Sequence, residues 1–154
     1  MKVLFKFVLL SAMLISFTGC QKSNEVTIYQ LSNQSYSQMM SYIIEDEGTT
    51  IVVDGGTAED EDNLIKTIKK VSKDRKVEAW FLTHQSGSNE IKIDKVYYNF
   101  PEESWVERNE PHRYEDVVAI DQGLKTFDNK EVVSFNQKIT VGEDQIDVLR
   151  TYNP

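Results

Sequence analysis

Histidine is the side chain best suited to hold a transition metal near neutral pH, and this chain has two, His84 and His112. His84 closes an apolar run, Trp80-Phe81-Leu82-Thr83-His84. A zinc centre needs three or four convergent, deprotonated ligands, whereas Ser86, Ser88 and Asn89 offer only neutral hydroxyls and an amide. An isolated histidine at a strand end bonds locally, so His84 reads as at most a remnant metal ligand. His112 follows Pro111 and lies three residues before Glu115, and no spacing joins it to His84. Neither Ser86 nor Ser88 has a neighbouring histidine or lysine to act as its base, so a serine nucleophile is unsupported. Cys20 is the only cysteine, which excludes an intrachain disulfide.

Asp54-Gly55-Gly56-Thr57 is the second chemical landmark. Glycines between a strand and a helix can cradle a phosphate with backbone N–H groups. A similar Asp-Gly-Gly-Thr occurs in the sugar-kinase and actin group of ATPases, but there it joins two hairpin strands. Here a helix follows, and Glu59-Asp60-Glu61-Asp62 would repel a phosphate at its start. The expected task of Asp54 is to accept backbone hydrogen bonds at the turn. The acidic runs at 46–47 and 59–62 lack the alternating oxygen spacing of a calcium loop and read as solvated faces.

The elements that position these residues follow from periodicity. Residues 25–31, 39–44 and 49–53 are β-branched and bounded by polar turns, so they read as strands, the last two forming a hairpin around 45–48. A helix is predicted from Thr57, with Asp60 three residues later completing an approximate capping box. Leu64, Ile65, Ile68 and Val71 share its apolar face, acids crowd its first turns, and Lys66, Lys69 and Lys70 crowd its end. Residues 77–82 then read as a buried strand, parallel to 49–53 through the helical crossover. Residues 93–100 read as another strand, 101–112 as charged and irregular, 114–127 as a helix, and 131–135, 138–141 and 146–150 as short strands. Tyr97 and Tyr98 must face opposite sides of their strand, so at least one belongs to the core.

The first twenty residues carry a different signal. Lys2 and Lys6 precede an apolar stretch from 8 to 17, then Thr18-Gly19-Cys20. Basic start, apolar centre and small residues before a cut are the design of a secretory signal peptide. The stretch is shorter than the roughly 20 residues a membrane span needs. Thr18-Gly19-Cys20 resembles the lipobox of bacterial lipoproteins, in which the cysteine receives a diacylglycerol and becomes the new N-terminus. Phe17 departs from the branched aliphatic residue usual at that place. The resemblance implies a signal peptide over 1–19, lipidation of Cys20, a tether over 20–24, and attachment to the extracytoplasmic face of a bacterial membrane. Without residues 1–19, 15 basic residues face 25 acidic ones, which excludes a nucleic-acid partner and leaves membrane attachment to the lipid.

Residues 39–84 resemble the N-terminal half of a metallo-β-lactamase-fold protein. The resemblance rests on Ser41-Tyr42-Ile43-Ile44, on Thr50-Ile51-Val52-Val53-Asp54-Gly55-Gly56, on the amphipathic helix and on Phe81-Leu82-Thr83-His84. Residues 93–99 and 142–150 fit later strands diffusely. The resemblance implies an α/β fold, a mixed sheet with flanking helices forming half of an αββα sandwich, and a single domain over 25–154. In that family the Thr-His pair opens His-x-His-x-Asp-His, which binds one or two zinc ions that activate water for hydrolysis. Here Ser86, Ser88 and Asn89 stand where the second histidine, the aspartate and the third histidine belong, so only His84 keeps a ligand type. The family's helix after the motif and its C-terminal ligands have no counterpart in the 70 residues beyond His84. The expectation is a truncated, non-catalytic relative with no cofactor, or zinc if a hydrolase site is retained. Half a sandwich leaves one sheet face open, implying marginal stability or burial against a protein partner or second copy.

Overall fold

The alternation of apolar side chains in the central strands sends them to both faces of a sheet, and the computed structural model covers both. It describes residues 25–32, 41–57, 59–72, 74–82 and 91–151. The elements are β1 (Thr27–Gln30), β2 (Tyr42–Asp46), β3 (Thr49–Val53), α1 (Glu61–Val71), β4 (Lys76–Val77), β5 (Ala79–Leu82), β6 (Lys92–Ile93), β7 (Val96–Tyr98), α2 (Glu103–Asn109), a 3₁₀ turn (Pro111–Arg113), α3 (Tyr114–Leu124), β8 (Lys130–Val132), β9 (Lys138–Val141) and β10 (Asp144–Asp147). Six strands make the main sheet in the order β1-β2-β3-β5-β7-β8. The first three pair antiparallel, and β3, β5, β7 and β8 run parallel. The fold is thus a mixed α/β sheet with flanking helices.

In register, Val52, Trp80 and Val96 lie side by side on one face, while Val53, Phe81 and Tyr97 lie on the other. On the first face Leu64, Ile65 and Ile68 of α1 and Leu124 of α3 close a core over Ile43, Val52, Trp80 and Val96. On the second, Ile139 and Val141 of β9 join Ile51, Ala79, Tyr97 and Val133, with Ile146 and Val148 packed alongside. Phe81 and Tyr97 stack there, 4.9 Å between ring centroids. The face expected to lie open is therefore partly roofed by the β9–β10 hairpin. Val26 and Ile28, at the β1 edge of the sheet, remain 51% and 63% exposed.

Several boundaries differ from the sequence expectation, each for a local reason. The strand expected over 77–82 breaks at Glu78, whose carboxylate accepts the Thr50 N–H at 2.8 Å while its own N–H donates to the Thr50 carbonyl at 2.9 Å. The strand expected over 93–100 breaks beside it, where the Asp94 N–H donates to the Val77 carbonyl and the Lys95 carbonyl accepts from Trp80 N–H. Lys76 joins the two breaks, 3.2 Å from Glu78 and 2.6 Å from Asp94. Those carboxylates, Asp94 first, hold its ammonium above the ordinary lysine range. The segment expected to be irregular holds α2 and the 3₁₀ turn; its one buried helical side chain, Val106, gives no repeating stripe to read. No helix among the described residues is long and apolar enough to cross a membrane.

Ile68 is fully buried between α1 and the sheet. Ile68→Ala is expected to lower unfolding free energy by about 2–5 kcal/mol in a urea titration. A loss below 1 kcal/mol would show that α1 is not packed as described.

Candidate functional site

Parallel strands present their carboxyl ends together, and open α/β sheets bind ligands there. Asp54 follows β3, and its N–H donates to the Phe81 carbonyl of β5 at 2.9 Å. That bond sets Asp54-Gly55-Gly56 beside the strand that leads to Thr83-His84. His84, Ser86, Ser88 and Asn89 lie outside the described residues, as does Cys20. His112 stands exposed in the 3₁₀ turn.

The turn itself is tightly determined. Asp54 has φ 56° and Gly56 φ 76°, both in the left-handed region. A Cβ on Gly56 would lie 2.7 Å from both Cβ and Oδ2 of Asp60. Asp60 is buried, and its Oδ2 accepts from both the N–H and the hydroxyl of Thr57, each at 2.9 Å. The Asp60 N–H in turn donates to the Thr57 carbonyl at 2.9 Å. The helix therefore starts at Glu61 with Asp60 as its cap residue, not at Thr57. Half of the expected capping box is present: the aspartate reaches back to the Thr57 N–H, but the Thr57 hydroxyl donates to the same carboxylate instead of accepting from the Asp60 N–H. Asp60 is the site residue that the sequence reading undervalued.

These groups do not fit a zinc centre. Among the described residues no three His, Cys, Asp or Glu side chains converge to hold a metal ion. Asp60 Oδ2 already serves two donors from Thr57, and Ser86, Ser88 and Asn89, just after His84 in sequence, are neutral. What the arrangement does is fix a strand-to-helix turn rigidly at the rim of the sheet.

Beneath the hairpin lies a second polar group. Lys95 and Glu131 form an ion pair, Gln137 Nε2 donates to the other Glu131 oxygen at 2.6 Å, and Lys95 Nζ sits 5.0 Å above the Tyr97 ring. The Lys95 hydrogen bond, then that from Gln137, hold the Glu131 carboxyl below the usual glutamate range, and Glu131 raises Lys95.

No protein-family model matches the sequence, and no curated protein matches it. Among solved structures it is similar to a Thermotoga maritima protein assigned provisionally as a metallo-beta-lactamase: 11% identity, TM-score 0.45, covering 75% of this chain and 61% of that one. It is also similar to the apo state of the chemotaxis sensor ODP from T. denticola, at 18% identity and TM-score 0.39, covering 77% and 50%. A peroxy diiron species of the ODP sensor matches at 17% identity and TM-score 0.44, covering 79% and 47%. The chain thus spans between about half and three fifths of the length of these structures.

Two outcomes follow. Gly56→Ala is expected to destabilise the fold by about 1–3 kcal/mol, through the left-handed φ and the contact with Asp60; thermal melting with no shift would contradict the turn geometry. For Glu131, a depressed folded value means its stabilisation is present above the unfolded value and is lost as pH falls through the folded one. A carboxyl titration by NMR should find its midpoint below the ordinary glutamate range, moving upward in Lys95→Met. An identical midpoint in the variant would remove Lys95 as the cause.

Proposed function

We propose that this chain is an exported module, held at a bacterial membrane by a diacylglycerol on Cys20, whose domain derives from the metallo-β-lactamase fold and does not perform metal-dependent hydrolysis. The observation that carries the non-catalytic reading is the donor set. Ser86, Ser88 and Asn89 occupy three of the four positions of the His-x-His-x-Asp-His motif that begins at His84. None can become an anionic or imidazole ligand at neutral pH, and the family's route to activated water runs through a held metal. Asp60, the nearby carboxylate, is occupied in fixing the turn. The anchor rests on the basic start, the apolar stretch and Thr18-Gly19-Cys20. With 15 basic against 25 acidic residues from Cys20 onward, anionic lipid would repel the domain, so a covalent lipid is what keeps it near the surface.

Two measurements on protein from the membrane fraction test the two halves separately. Intact mass should correspond to a chain beginning at Cys20 and carrying a diacylglycerol; an unmodified thiol there would sink the anchor. Elemental analysis after purification without chelators should find far less than one zinc per chain. Stoichiometric, tightly held zinc would overturn the non-catalytic reading in favour of a hydrolase with His84 among its ligands.

A further inference from the structure

The hairpin roofs only part of the second sheet face, and the space left between them is a cleft of about 930 Å³. That is the size of a small-molecule site. Its floor is apolar: Ile44, Ile51, Val53, Phe81 and Tyr97 come from four adjacent strands, and Val148 faces them from beyond β10. Charge is not spread evenly along it. At one end Asp46 pairs across the turn with Thr49, and Thr49 meets Gly142 so closely that a Cβ there would come within 2.6 Å of its Oγ1. Asp144 starts β10 two residues later, so two carboxylates line this end. From there β10 runs the length of the cleft, passing Asp147, which Lys138 holds at 3.3 Å, and the chain continues to Arg150.

Arg150 therefore lies towards the carboxyl ends of β3, β5 and β7, where Asn99 and Pro101 also line the opening. Its side chain is exposed, and it forms no ion pair with another described residue. A second guanidinium, Arg113, lines the cleft from the helical segment reached through Pro101, tied to Glu110 at 2.6 Å. An apolar trough with carboxylates at one end and guanidinium groups towards the other has a direction. It repels an anion from the hairpin-turn end and offers paired N–H donors to a carboxylate at the opening.

We propose that this cleft binds a single-chain anionic amphiphile of the fatty-acid class, its hydrocarbon laid along the sheet face and its carboxylate at Arg150, with Arg113 as a second cation. The occupant is set by this match of apolar floor and one-ended positive charge. A neutral amphiphile fills the trough equally well but finds no partner at its head, and a cationic one meets the guanidinium groups at the opening unless it enters reversed, head towards Asp46 and Asp144.

Isothermal titration of the purified full chain with dodecanoate in detergent-free buffer tests this, alongside dodecyltrimethylammonium. Saturable one-to-one binding of dodecanoate is expected, with the cation at least about tenfold weaker. Arg150→Gln, at an exposed position, should keep the melting temperature and weaken dodecanoate about tenfold, while Lys69→Gln on the outer surface of α1 leaves it unchanged. Methyl resonances of Ile44, Val53 and Val148 should shift, and those of Leu64 and Ile68 on the opposite face should not. The proposal is overturned if dodecanoate does not bind, if both head charges bind alike, if Arg150→Gln has no effect, or if the shifts fall on the α1 face. It is equally overturned if sedimentation shows a dimer that excludes dodecanoate, which would make a second copy the occupant.

Discussion

A parallel strand buried on both faces can belong only to a sheet that is covered twice, and this constraint organises the molecule. The row Val52-Trp80-Val96 is fully buried, while in the row Val53-Phe81-Tyr97 only the tyrosine is. The chain meets the demand with two unlike layers. Helices α1 and α3 supply one, and a two-stranded sheet formed by β9 and β10 supplies the other. The difference in width between a pair of helices and one hairpin is why the second face is covered incompletely and holds a cleft.

The central fold was legible in the sequence because its signals agree with one another. For α1, the apolar stripe, the acidic first turn and the basic last turn all point to one helix, and Leu64, Ile65 and Ile68 are its buried residues. The antiparallel hairpin and the parallel crossover followed from β-branched runs and from the helix between them. What escaped notice depended on contacts distant in sequence. Glu78 interrupts its strand because of Thr50, 28 residues earlier, and no local pattern announces that. The short helix α2 escaped for the opposite reason: one buried valine has no periodicity.

The site was legible as a place and less so as an arrangement. Asp54-Gly55-Gly56 announces a sharp strand-to-helix turn, and the bond from Asp54 to Phe81 sets it at the carboxyl end of the sheet. The Thr57–Asp60 spacing announced the reach of Asp60 back to Thr57, but not that its carboxylate would pack under Gly56, which depends on the missing Cβ and on φ 76°.

The docking of Gly142 on Thr49 has a mechanical side. Among the described residues the β9–β10 pair shares no strand ladder with the main sheet and rests on it through side chains and the close approach at its tip. A layer attached mainly by packing is a natural unit of local opening, with a lower free energy of exposure than strands knitted into a six-stranded ladder. Its amides should exchange with solvent ahead of those in β3 and β5. The hairpin then behaves as a hinged cover: the chain link over 133–137, held to the main sheet by Val133 N–H on the Tyr98 carbonyl and by Gln137 on Glu131, is the pivot, and the Gly142 tip is the side that lifts.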